Sequence, residues 1–253
     1  MECWASILGR CAGGQSREHY ITKGLYPGLV KAVGLPWAKG EPIELPIEAL
    51  AANILCAGHN NALSPVDGEA IAMKEFMADA MAGGPAYHEE LHGKTRYCSV
   101  DGEKIIRWLC KMVCNIEALA KRNPDPAYIR RAFGAPGGER VRVYPYKALG
   151  ARVDADLSHL RFWQWHVDLK KGGRTQVYLF RFAILEWLLS PFPLTKDECD
   201  ALGQLTGGRY WFKARPLTRS TPVYVPRSGP GGKQVLTHQL TVKFPRRRRK
   251  RRR

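Results

Sequence analysis

The chain of 253 residues has no long hydrophobic run. No apolar stretch reaches the roughly 18 residues that a membrane-spanning helix needs. The first residues lack the basic and apolar segments of a secretory signal peptide. We therefore expect an intracellular protein that does not enter membranes, cytoplasmic or, in a eukaryotic host, nuclear. No repeat of fixed period is present, which argues against a solenoid.

Acidic residues are scarce, with 23 Asp and Glu against 40 Lys and Arg, and the formal net charge is +17. The last eight residues are all Arg or Lys, and the rest of the chain still has an excess of basic residues. Such a surplus favours a polyanionic partner, most often nucleic acid, over an anionic membrane surface. We expect the tail, residues 246–253, to be disordered and to bind nucleic acid in a salt-sensitive way. The binding residues predicted there are Arg246, Arg247, Arg248 and Arg249.

Secondary-structure patterns predict helices in the first half and strands in the second, which is an α+β fold. The pattern of residues 1–26 predicts a short hairpin or knuckle, and the proline-rich residues 27–46 predict an irregular connection. Residues 59–82 predict a helix that is interrupted at Ser64 and Pro65, with Ser64 as its N-cap.

The clearest helix is predicted over residues 101–123, where apolar residues recur at helical spacing. Cys110 and Cys114 lie four residues apart on this helix, and we expect both to be core residues. Beyond Pro136 the apolar period changes to two, which predicts an antiparallel sheet. The strands predicted in this half are residues 140–147, 161–169, 175–184, 209–214 and 234–244.

A domain boundary is predicted near Gly83, Gly84 and Pro85, because these residues end the helix that precedes them. The boundary divides the chain into a first unit of residues 1–84 and a helix-plus-antiparallel-sheet unit of residues 85–245. The basic tail follows the second unit.

Cysteine and histidine spacing predicts a metal site in the first unit. The seven cysteines are an odd number, and disulfides are rare inside cells, so metal ligation or burial is the better interpretation. Cys56 and His59 are separated by two residues, which suits a zinc ion. Cys3 and Cys11 could supply the other two ligands, although seven intervening residues are more than usual.

Glu18 and His19 place a carboxylate beside an imidazole near this predicted metal site. The imidazole titrates near neutral pH and could take a proton from water. Glu18 and Asn60 offer the hard oxygen ligands that Mg²⁺ prefers. Asn61 could replace Asn60 as the ligand.

These residues together resemble the HNH endonuclease family, in which a ββα-metal site joins a short hairpin to one helix. Glu18 and His19 match the metal ligand and the general base of that family. Asn53 matches its central asparagine, a few residues before Cys56. Asn60 matches the helix residue that binds the catalytic ion, so the chain resembles the variant with His, Asn and Asn.

The resemblance covers about residues 3–75 and implies that residues 1–84 are a zinc-stabilised ββα-metal module. It implies hydrolysis of phosphodiester bonds, with His19 as general base and a divalent ion such as Mg²⁺ held by Glu18 and Asn60. Asn53 would brace the loop carrying His19, and Arg17 would contact a phosphate. Double-stranded DNA is the substrate that the resemblance favours, with RNA left open. The wide spacing of the first cysteine pair, a histidine as the fourth zinc ligand, and glutamate before His19 depart from the family pattern.

Two other functions compete with this interpretation. The first is a non-catalytic, zinc-stabilised nucleic-acid-binding protein in which His19 is structural. The second is a zincin-like hydrolase, because His88, Glu89 and His92 satisfy the His-Glu-x-x-His pattern. The glycines on both sides of that motif leave room for only a very short helix, which argues against the zincin.

Overall fold

The computed structural model describes twelve β-strands and four α-helices. The described residues are 2–26, 28–35, 38, 41–82, 96–148, 159–169, 173–182, 185–205, 210–212, 221–228 and 234–243. The strands are β1 (Gln15–His19), β2 (Leu29–Val33), β3 (Ile43–Pro46), β4 (Ala51–Cys56), β5 (Arg96–Asp101), β6 (Arg142–Ala148), β7 (His159–Leu169), β8 (Gly173–Phe182), β9 (Leu185–Ser190), β10 (Tyr210–Phe212), β11 (Thr221–Ser228) and β12 (Gln234–Lys243). The helices are α1 (Ala57–Ala82), α2 (Gly102–Leu119), α3 (Pro126–Phe133) and α4 (Lys196–Leu205).

The strands form three sheets. β1 and β4 make a two-stranded antiparallel ladder, and β11, β12 and β5 make a three-stranded sheet. The largest sheet has seven strands in the order β10-β6-β9-β8-β7-β2-β3. Most neighbours are antiparallel, but β2 with β7 and β12 with β5 are parallel. The mixture of helices with mainly antiparallel sheet confirms the predicted α+β class.

The short hairpin predicted within residues 1–26 is wrong. β1 does not pair with the preceding residues; it pairs with β4, from Gln15 opposite Cys56 to His19 opposite Ala51. The connection predicted over residues 27–46 also contains β2 and β3, which pair with each other. In both cases a strand pairs with a segment that is distant in the sequence, β1 with β4 and β2 with β7. Local turn signals do not determine such pairings.

Helix α1 runs without interruption through Pro65, contrary to the predicted break and the predicted N-cap at Ser64. The helix begins at Ala57, directly after β4. A proline removes one helical hydrogen bond. Burial of the apolar face outweighs this loss, because that face continues on both sides of the proline. The fully buried residues of the face, spaced by three and four, are Leu63, Val66, Ala70, Met73 and Met77.

Helix α2 confirms the helix predicted over residues 101–123, although it ends earlier, at Leu119. Asp101 is its N-cap, with a side chain that accepts hydrogen bonds from the backbone N–H groups of Glu103 and Lys104. Cys110 and Cys114 are completely buried, as expected of core residues.

One hydrophobic core extends across the predicted boundary between the two units. It joins residues of the N-terminal segment, such as Cys3 and Leu55, to residues of α2, α3 and the large sheet. A smaller cluster lies around Tyr144, Leu188 and Leu202. The residues at the boundary itself, 83–95, lie outside the described residues. No helix in the described part of the chain is long and apolar enough to cross a bilayer.

Replacing Asp101 by alanine should lower the free energy of unfolding by about 1 kcal/mol, because two N–H groups at the start of α2 lose their acceptor. Chemical denaturation with a linear extrapolation would measure the change. Asp101→Asn is the control, since asparagine also accepts these bonds and should retain most of the stability. Equal losses in both variants would contradict an N-cap role.

Candidate functional site

Four predicted ligands converge at the start of α1. The sulfur atoms of Cys3, Cys11 and Cys56 and a ring nitrogen of His59 all lie within 4.8 Å of one another. The Nδ1 atom of His59 is 3.4 Å from Cys3 Sγ, 3.7 Å from Cys11 Sγ and 3.2 Å from Cys56 Sγ. Zn–S and Zn–N bonds of about 2.3 and 2.1 Å in a tetrahedron separate S and N ligands by about 3.6 Å. This group could therefore hold a metal ion such as zinc.

The wide spacing between Cys3 and Cys11 is accommodated by a tight turn of the backbone. Residues Ser6–Leu8 form a 3-10 turn, and Gly9 and Arg10 follow with φ angles of 69° and 58°. Two consecutive residues in the left-handed region reverse the chain, so Cys11 returns towards Cys3. A non-glycine residue with such a φ is uncommon, which makes Arg10 a strained position.

The loop that follows Cys11 satisfies the first turn of α1. The N–H groups of Ala57 and Gly58 donate to the carbonyls of Gly14 and Ala12, at 3.0 and 2.9 Å. A side chain at Gly13 would approach the Cβ of Ala57 to 3.0 Å, so the loop and the helix can touch only because glycine stands there. These bonds explain why α1 begins next to Cys56, before the sequence signal at Ser64.

The metal-ligand group is covered by the second half of the chain. Phe133, the last residue of α3, packs its ring edge-on against His59 with the ring centroids 5.1 Å apart. The same ring lies 5.8 Å from that of Trp4, the neighbour of Cys3. A hydrogen bond to the backbone of Gly9 also holds the imidazole of His59. Contacts of this kind fix the orientation of a metal ligand.

The thiols in this group differ in acidity. Burial, together with the neighbouring thiols of Cys56 and Cys11, raises the pKa of Cys3 to about 11. Burial also acts to raise the pKa of Cys56, but hydrogen bonds from the backbone of His59 and Ala12 leave it below the ordinary value. Three thiols this close repel one another once ionised, and a bound cation removes that repulsion.

We expect one zinc or similar ion per chain, lost when a ligand is removed. Cys56→Ser should reduce the bound metal to a small fraction of that in the wild type and lower the melting temperature, because metal binding and folding are coupled. Elemental analysis of the purified protein would measure the metal. Cys98→Ser is the control, since Cys98 lies outside the group; equal metal in the two variants would contradict the assignment.

His19 lies at the end of β1, on the outward side of the β1–β4 ladder. Arg17 and His19 alternate along β1 with the buried Glu18, and Arg17 is paired with Asn53 of β4. Because directly paired residues point to the same side, Arg17, Asn53 and His19 share one face. Arg17 and Asn53 are exposed and His19 is half-buried. The ladder is irregular at this point, with Ile54 unpaired, as in a β-bulge.

The surroundings of His19 favour its neutral form. Burial lowers the pKa of this imidazole, and the positive charges of Lys23, Arg17 and Lys111 lower it further, while Glu48 acts in the opposite direction. Glu48 also holds two of these cations, since its carboxylate lies 3.4 Å from the Lys23 ammonium group and its backbone carbonyl accepts a hydrogen bond from Arg17. A neutral imidazole is the form that can accept a proton.

Glu18 and Asn60, the residues expected to hold a catalytic ion, both face the inner side of β1. The side-chain amide of Asn60 donates to Ser16 Oγ at 2.9 Å. Ser16 and Glu18 are two residues apart and point to the same side of the strand. The Glu18 carboxylate, however, lies 2.6 Å from the ammonium group of Lys111 and also accepts from Asn115 at 3.4 Å. As arranged, Glu18 and Asn60 do not fit a magnesium site.

Lys111 and Asn115 are residues of the site that the sequence interpretation missed. Both are buried on α2, where Lys111 also contacts Asp67 of α1 at 2.6 Å. The signal that could have revealed them is their position: they lie three and seven residues after Trp108, among the buried residues of α2. Polar residues on a buried face need partners in the interior.

Several predicted residues lie outside the described part of the chain. They are the basic residues Arg246, Arg247, Arg248 and Arg249 of the tail and the zincin-like residues His88, Glu89 and His92. The predictions made for them stay predictions.

Comparison with protein-family models, curated proteins and solved structures finds no match for this chain. Its function therefore has to be inferred from its own residues.

Proposed function

We propose that the protein is an HNH-type endonuclease that hydrolyses phosphodiester bonds, with His19 as general base. The observation that carries this proposal is the order β1, β4, α1 around the metal-ligand group. β4, which pairs antiparallel with β1, leads directly into α1, and Cys56 and His59 stand at the junction. His19 lies at the far end of the same ladder.

Zinc in this proposal has a structural role. Four protein ligands leave no open coordination position for a substrate, which is typical of structural zinc. The ion would fasten the N-terminal loop with Cys3 and Cys11 to the start of α1. The ion would thereby also stabilise the β1–β4 ladder, at the end opposite to His19.

The chemistry of His19 follows from its position and its charge state. The ring nitrogen accepts a proton from the attacking water, the water oxygen forms a bond to phosphorus, and the bond from phosphorus to the leaving oxygen breaks. Arg17, two residues earlier on the same face, would contact a phosphate oxygen. Asn53, paired with Arg17, would brace the strand carrying His19. Glu18 and Asn60 as arranged do not hold a divalent ion; an ion bound elsewhere at the site would stabilise the charge that develops on the phosphate.

Nucleic acid as the substrate is supported by the formal net charge of +17. Double-stranded DNA is the substrate we propose, and the basic tail would add salt-dependent affinity. RNA is the alternative substrate, and the cleavage experiment below compares the two.

Purified protein should convert supercoiled plasmid to nicked or linear forms in Mg²⁺, and EDTA should stop the reaction. His19→Ala should reduce the rate at least about 100-fold, because the reaction loses its general base. His19→Ala should bind DNA as the wild type does, since the removed ring supplies little of the electrostatic affinity. A fully active His19→Ala variant would contradict the assignment, and a structured RNA offered in parallel would distinguish the substrates.

The pH dependence of cleavage should report the environment of His19. A general base works when it is unprotonated, so the rate should fall with decreasing pH as His19 is protonated. Because burial and cationic neighbours lower its pKa from the ordinary 6.5, the midpoint of this fall should lie below pH 6.5. Lys23→Ala removes a cation and should move the midpoint to higher pH, whereas Glu48→Gln removes an anion and should move it lower.

The exposed pair of Lys23 and Glu48 contributes little to stability, since both side chains are 60% exposed, so both variants should fold. Midpoints that move in the same direction, or not at all, would argue against His19 as the titrating base. The midpoint is read from initial rates of plasmid cleavage at DNA concentrations well below KM, which report the pKa of the protein without bound DNA.

The second candidate is a zinc-stabilised nucleic-acid-binding protein without catalytic activity. The observation that favours it is the bond between Glu18 and Lys111, which engages the carboxylate expected to hold the catalytic ion. It predicts that wild type and His19→Ala bind DNA equally and that neither cleaves it.

A further inference from the structure

The ammonium group of Lys111 lies in the interior behind the strand that carries His19. The side chain is 1% exposed, and it is bonded to Glu18 Oε1 and to Asp67 Oδ2, each at 2.6 Å. Burying an ammonium group is unfavourable unless it is paired with opposite charge and hydrogen-bonded. Two carboxylates from two different elements, β1 and α1, provide this pairing.

Neighbouring side chains also bond to the two carboxylates that hold Lys111. Thr22 donates to the second oxygen of Asp67 at 2.7 Å, and the indole N–H of Trp108 donates to Thr22 at 3.0 Å. Asn115, one turn after Lys111 on α2, donates to Glu18 at 3.4 Å. The carboxylate of Glu18 is thus held by α2 from two positions.

The same network reaches the backbone of the proposed general base. Asn115 also donates to the carbonyl oxygen of His19 at 3.2 Å, and its own carbonyl oxygen accepts from the indole of Trp4 at 3.0 Å. Trp4 is the neighbour of the metal ligand Cys3. Helix α2 therefore connects the strand of His19 with the metal-ligand group.

We infer that Lys111 is the cation that Glu18 binds in this protein, and that Glu18 is a positioning residue and not a ligand of a divalent ion. The inference rests on the proposed function, because it assigns roles around His19. The resemblance to HNH endonucleases implies a divalent ion between β1 and α1. In this chain the ammonium group of Lys111, which belongs to α2, lies between these two elements. Glu18 then fixes the strand of His19 against α2, and binding of a divalent ion does not depend on it.

The test compares Glu18→Gln with Asp67→Asn in the full chain. Asp67 is the matched control, since it contacts the same ammonium group at the same distance but is not the residue that the resemblance assigns to the ion. Binding of Mn²⁺, a magnesium substitute visible by electron paramagnetic resonance, is measured without nucleic acid. Melting temperatures are measured on the same samples.

We expect both variants to melt at lower temperature than the wild type, because each leaves Lys111 with one carboxylate fewer. We expect the Mn²⁺ affinity of both variants to stay within about twofold of the wild type. A loss of Mn²⁺ affinity of tenfold or more in Glu18→Gln, without such a loss in Asp67→Asn, would overturn the inference.

A double variant covers the case in which Glu18→Gln does not fold. Glu18→Gln with Lys111→Met removes the carboxylate and its counter-charge together, so it should be more stable than Lys111→Met alone. Its Mn²⁺ affinity should again match the wild type, and a tenfold loss there would overturn the inference in the same way.

The cleavage assay separates this inference from the proposed function. In Glu18→Gln, the Mg²⁺ concentration for half-maximal cleavage should stay within about twofold of the wild type, while the maximal rate falls because His19 is less well held. An increase of tenfold or more in that concentration would overturn the inference. A wild type that binds no Mn²⁺ and cleaves nothing would contradict the proposed nuclease, yet it would agree with Glu18 holding no ion.

Discussion

The buried ammonium group of Lys111 is the interaction on which the arrangement of the site depends. A charge in the interior is tolerated only with compensating charge and hydrogen bonds around it, and here the partners come from β1 and α1. Loss of one partner would leave an uncompensated charge, so β1, α1 and α2 have to keep their relative positions. The position of His19 follows from this constraint, because Asn115 of the same helix holds its backbone.

The metal-ligand group acts from the other end of the β1–β4 ladder. Cys3 and Cys11 belong to a loop with almost no secondary structure, whereas Cys56 is the last residue of β4 and His59 lies in the first turn of α1. Binding of one ion by all four would join the loop to the helix. Phe133 of α3 then packs on His59, so that a helix from the second half of the chain completes the surroundings of the metal ligands.

The two faces of β1 have different tasks in this protein. The inner face carries Glu18, which joins the interior network, and the outer face carries Arg17 and His19. Strand alternation separates a buried carboxylate from a half-exposed imidazole even though the two residues are adjacent in the sequence. The arrangement leaves Arg17 and part of His19 accessible to solvent while the strand itself is anchored from behind.

Local signals in the sequence were sufficient for helix α2 and for the α+β class, since helical and strand periodicities depend on neighbouring residues. The sequence also predicted the group of Cys3, Cys11, Cys56 and His59, which the fold brings together as a possible metal site. The order of strands was not accessible in this way: β1 pairs with β4 across more than thirty residues, and β2 pairs with β7 across more than a hundred. The continuation of α1 through Pro65 was decided by burial on both sides of it. The pairing of Glu18 with Lys111 was also decided by tertiary structure, because the sequence shows that a charged residue exists but not which opposite charge the fold brings to it.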